Sequence, residues 1–94
     1  MSIRKLTMSE FIDHISRCTH HQLHIEAMVL VAEYFNAEML HERIEGYTSD
    51  LAYYGELPDD IQQRFDADKA LLLEHIKQTH GERTSKVFRN LLNG

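Results

Sequence analysis

The chain has 94 residues, 43% of them hydrophobic, with one proline, four glycines, one cysteine and a formal net charge of −5. This length allows one domain, and the apolar content excludes wholesale disorder. The negative charge argues against non-specific nucleic-acid binding, which needs a basic footprint, and the single Cys18 excludes an internal disulfide framework.

Few helix breakers and an abundance of Leu, Ile, Glu, His and Met predict long helices. Leu6-Thr7-Met8-Ser9-Glu10-Phe11 reads as a helix start. The Thr7 hydroxyl can accept from the Glu10 amide, Glu10 can reach back to the Thr7 amide, and Leu6 can pack on Phe11 across the cap. Phe11, Ile12 and Ile15 then form one apolar face. The same grammar recurs in Cys18-Thr19-His20-His21-Gln22-Leu23, with Thr19 as the cap. One helix should therefore end near Arg17 and another begin near His20.

The second helix carries two apolar stripes at three- and four-residue spacing. One is Ile25, Met28, Ala32, Phe35 and Met39; the other is Leu23, Ala27, Leu30, Tyr34 and Ala37. The spacing continues through Leu40, Ile44, Tyr47, Leu51 and Tyr54. Either one spine runs from His20 to Tyr54 across Gly46, or Gly46 ends it and Thr48 or Ser49 caps a new helix; Gly46 costs only about 1 kcal/mol within a helix, so the pattern favours the spine, continuous or kinked. Gly55-Glu56-Leu57-Pro58 breaks the chain, and Pro58 suits the first position of the next helix. Asp59 and Asp60 complement its positive end. Ile61, Phe65, Leu72 and Ile76 mark its buried face, and Gly81 closes it. A last helix from about Glu82 to Leu92 would bury Val87, Phe88, Leu91 and Leu92. The expected fold is all-α, a bundle of four to five helices with a long central helix.

No charged start followed by an apolar run stands at the N-terminus, and Ala27 to Ala32 is far short of the ~20 residues that span a bilayer, so a cytoplasmic protein is expected. His20 and His24 share a helical face, but no partner pair stands at zinc-site spacing. Glu38 and His41 match half of a di-iron motif, in one copy only. Cys18 reads as a small buried hydrophobe at a staple position, and no nucleophile, base or glycine-rich phosphate loop is recognisable. No catalytic residue, cofactor or metal is expected.

Binding is the remaining class. Between His41 and Lys69 eight acidic residues stand against Arg43, Arg64 and Lys69. Tyr53 lies off the Leu51–Tyr54 stripe beside the Gly55 break, and aromatics dominate interface energetics. Asp50, Tyr53, Tyr54, Glu56, Asp59 and Asp60 are the candidate protein-binding residues. A regulator or adaptor of this kind could modulate transcription, inhibit a host protein for a phage or mobile element, or chaperone a secreted protein; composition does not separate the three. The alternative is nucleic-acid binding through Arg83, Lys86 and Arg89, with Arg4 and Lys5 from a second subunit. Homo-oligomerisation fits every reading, because a two-faced helix in so short a chain needs cover.

Two segments carry a family resemblance. Leu6-Thr7, Phe11-Ile12, Ile15 and Arg17-Cys18 form one; Tyr54-Gly55-Glu56-Leu57-Pro58-Asp59-Asp60-Ile61 forms the other. Together they resemble the haemolysin-modulating Hha/YmoA family of small bacterial helical regulators. The residues after Phe65 have no counterpart in that family. The resemblance implies a partner of the nucleoid-silencing H-NS type, bound through a charged surface.

Overall fold

A computed structural model describes residues 5–17 and 21–93. Five helices follow one another in these residues: α1 (Met8–Ser16), α2 (His21–Tyr34), α3 (Glu38–Tyr54), α4 (Asp59–His80) and α5 (Glu82–Asn93). The predicted all-α bundle is the observed fold. The radius of gyration is 12.7 Å, against about 12 Å expected for one domain of this length.

The first cap forms as its residue types require. Thr7 is extended, its hydroxyl accepts from the Glu10 amide at 3.2 Å, and the Glu10 carboxylate accepts from the Thr7 amide at 3.1 Å. Those two bonds hold the Glu10 carboxyl below its ordinary range, the backbone one foremost. A lowered folded pKa stabilises the fold above the ordinary carboxylate range, and that contribution is lost as pH falls through the folded value. Thr7→Ala should cost about 1 kcal/mol and lower the melting temperature by roughly 4–8 °C. An NMR titration should show Glu10 returning toward its ordinary value in that variant; an unmoved Glu10 would refute the reciprocal cap. The second expected cap, at Cys18 and Thr19, lies outside the described residues.

The expected spine is two helices, not one. Gly46 sits inside α3 without interrupting it, and the chain reverses ten residues earlier. Asn36 takes a left-handed conformation (φ 57°). Its amide donates to the Glu33 carbonyl at 3.1 Å, and the Ala37 amide donates to the Ala32 carbonyl at 2.9 Å. This pair of bonds is a Schellman ending, and the buried alanines 32 and 37 supply its apolar contact. Asparagine is one of the few side-chain-bearing residues that accept such a φ cheaply. His75 of α4 contributes a further bond, its Nε2 lying 2.8 Å from the Phe35 carbonyl oxygen.

The remaining boundaries lie where the punctuation put them. Gly55 (φ 80°) closes α3, and Pro58 occupies the position just before α4, one residue earlier than expected. Gly81 (φ 95°) is the single residue between α4 and α5. Those two helices pair closely. The buried Ser85 hydroxyl donates to the Leu73 carbonyl at 2.7 Å, and Lys69 Nζ reaches the Leu92 carbonyl at 3.4 Å. Burial pulls the Lys69 ammonium below its ordinary pKa.

The core is built around an aromatic cluster. Phe11 stacks on Tyr34 with ring centres 4.0 Å apart and planes 7° from parallel. Phe35 meets Phe88 edge-on at 5.1 Å, and Phe11 lies 5.8 Å from Phe88. The Tyr34 hydroxyl donates to the Leu6 carbonyl at 3.1 Å, which ties the segment before α1 to α2. Helices α1, α2 and α5 therefore share one apolar centre, with Met28, Ile44, Leu72 and Ile76 continuing it toward α3 and α4.

Candidate functional site

The six residues singled out from the sequence fall on one corner, where α3 turns into α4. Asp50 is half-buried one turn before the tyrosines, and Glu56, Asp59 and Asp60 are exposed. Tyr53 is 82% exposed and Tyr54 57% exposed. Their rings meet edge-to-face at 4.8 Å. Tyr53 is thus placed as its position off the stripe suggested. Tyr54 corrects the pattern, which put it on a buried stripe. It is the last residue of α3, and Leu51 one turn earlier is already only half-buried, so the stripe outruns the core. Met39 fails in the same way: the reversal at Asn36 ends the first stripe, and Met39 is 75% exposed.

A polar network centred on the buried Asp68 ties together the two helices that meet at this corner. The Tyr47 hydroxyl donates to Asp68 Oδ2 at 2.6 Å, and Arg43 reaches Asp68 Oδ1 at 3.0 Å. Tyr47 and Arg43 belong to α3 and Asp68 to α4, so the network locks the two helices that carry the tyrosine turn. Tyr47 also meets Phe65 edge-on at 5.7 Å. Asp68 accepts from both partners and is buried, which makes it a positioning group for this corner. A sequence sign for it existed in hindsight: Asp68 sits between Phe65 and Leu72 on the apolar face of α4, where a carboxylate needs a partner.

His20 lies outside the described residues, and no group of three His, Cys, Asp or Glu that could hold a metal occurs among the described residues. His41 Nε2 stands 3.5 Å from Glu45 on the same helix, and Glu38 is exposed. Arg83, Lys86 and Arg89 are all exposed on the outer side of α5, opposite the buried Phe88; Arg4 lies outside the described residues. Among the described residues no helix is long and apolar enough to cross a membrane.

Sequence reasoning missed a groove between α2 and α3. One stretch, about 460 Å³ in volume, is lined by Val29, Glu33, Glu38, Glu42 and Glu45 among others. The next, about 510 Å³, shares Val29 and Glu45 and adds Glu26 and Leu30. The half-buried Val29 and Leu30 contribute apolar surface, and the glutamates come from both helices. The groove exists because α2 and α3 fold back on each other, which a single spine would forbid. Comparison with family models, curated proteins and solved structures returns no match.

Proposed function

We propose that this protein is a non-catalytic regulator or adaptor that grips a protein partner with Tyr53 and Tyr54, framed by Asp50, Glu56, Asp59 and Asp60. The observation that carries this reading is the exposed tyrosine pair itself. Two aromatic rings held out of the core on adjacent residues offer apolar area, and tyrosine is enriched among residues that dominate binding energy. The Tyr47–Asp68–Arg43 network keeps the corner in one geometry, so less conformational freedom is lost on binding. The acidic frame favours a partner with a basic rim and steers its approach. The resemblance of the Tyr54–Ile61 run to Hha/YmoA regulators suggests an H-NS-type protein as the first partner to test.

Purified H-NS-type protein and native lysate should each be presented to the immobilised chain and to its Tyr53→Ala/Tyr54→Ala variant. The double variant should fold normally, because both rings are largely outside the core. Loss of two hot-spot side chains at about 2 kcal/mol or more each should weaken capture by roughly a hundredfold or more, since such costs do not add fully. Equal capture by both forms would refute the tyrosine surface as the binding site.

A further inference from the structure

We propose that the α2–α3 groove receives the outer face of α5 from a second copy of this chain. The groove is apolar-floored and rimmed by carboxylates of one sign, and no lysine or arginine lines either stretch. Among the described residues Glu26, Glu33, Glu38 and Glu42 form no ion pair, and Glu45 has only His41. Such a rim favours a cationic occupant with some apolar surface.

The chain carries a matching ridge. Arg83, Lys86 and Arg89 recur every third residue on one side of α5, all exposed and without an ion pair among the described residues. Half-buried Val87 and Leu91 flank them. At 1.5 Å per residue the ridge from Arg83 to Arg89 is about 9 Å long, and the rim from Glu38 to Glu45 is about 10 Å. Ridge and rim therefore match in length as well as in sign. The inner face of α5, through Phe88 and Leu92, is committed to its own core. Its outer face can enter a neighbour's groove without any helix leaving the bundle. This is helix-in-groove recognition, with charge setting the pairing. The tyrosine corner takes no part, so the contact stands or falls independently of the function proposed above.

The test is light scattering and sedimentation of the whole chain up to about 1 mM, where even a millimolar contact is half populated. The mass should rise with concentration at low salt and fall back toward the monomer at high salt. Glu38→Lys/Glu42→Lys should abolish association, and so should Lys86→Glu/Arg89→Glu. Mixing these two variants should restore association, because each supplies the complement of the other's reversed face. Circular dichroism establishes that each is folded; should one be unfolded, the charge-neutral glutamine variants at the same positions should weaken association by at least tenfold. A monomer mass at the highest concentration overturns the proposal. So does association that survives either reversal, and so does a mixture that stays monomeric.

Discussion

Replacing Phe88 with alanine is expected to bring the protein to the edge of unfolding. Phe88 is fully buried and touches the aromatic centre on two sides, at 5.1 Å from Phe35 and 5.8 Å from Phe11. Truncating a buried phenylalanine costs about 3–5 kcal/mol through lost transfer energy and the cavity left behind. Aromatic pairs add roughly 0.5–1.5 kcal/mol beyond their area. Natural domains hold only about 5–15 kcal/mol in total, and a chain this short buries proportionally less surface than a larger one. The melting temperature should fall by roughly 15 °C or more. Phe88 joins α5 to α1 and to the turn that follows α2, so the loss should be global and not a fraying of the last helix. Thermal unfolding followed at α1 and at α5 should therefore remain a single transition in the variant. Two separated transitions, or a loss below about 1 kcal/mol, would show that α5 is not part of the central core.

Removing the Asp68 carboxylate should have the second-largest effect. Asp68→Ala leaves the buried Tyr47 hydroxyl without its acceptor, at a cost of about 2–3 kcal/mol. Asp68→Asn should lose less, because an amide oxygen can still accept from Tyr47. Arg43→Ala takes away one of the two partners of the buried Asp68 carboxylate but leaves it the Tyr47 bond, so it should cost about 1 kcal/mol. Urea unfolding should place the three variants in that order. The network also sets a pH dependence. Burial first, and then the bond to Asp68, push the Tyr47 phenol from an ordinary 10 up to about 12. The fold thus favours the neutral phenol. Its contribution is whole below pH of about 10 and is lost as pH rises through about 12. Other tyrosines and lysines titrate in the same window, so the difference from Tyr47→Phe isolates this group. The wild type should lose stability more steeply than Tyr47→Phe there; parallel curves would mean that the phenol is not held.

Much of the helix plan was legible because local chemistry sets it. Thr7 and Glu10 can satisfy orphan amides only at a helix start, and Gly55, Pro58 and Gly81 punctuate the chain by backbone conformation alone. The break at Asn36 escaped because periodicity is blind to a reversal that stays in phase. Leu23, Ala27, Leu30, Tyr34, Ala37, Leu40, Ile44, Tyr47 and Leu51 keep three- and four-residue steps straight across it. The only local sign was an asparagine able to take a positive φ. The candidate site divides on the same line. Tyr53 was readable from its position off the stripe. Tyr54 was not, because a stripe does not reveal where the core beneath it ends. The groove could not be read at all, since it is created by the fold-back of two helices, and its glutamates are ordinary surface residues in the sequence.

The turn at Asn36 has one more consequence. A hydrophobic repeat that runs unbroken through a hairpin also fits a straight rod. In a rod, α1 and α2 would swing away from their own α3–α5 and could pack only on those of another molecule, giving an exchanged dimer with the same core contacts. What opposes this is a short reversal: one left-handed residue, two backbone bonds and the His75 contact to Phe35. The left-handed turn at Asn36 thus favours keeping both parts of the core on one chain, and a strong helix former in its place would tilt the balance toward exchange of α1 and α2 between copies.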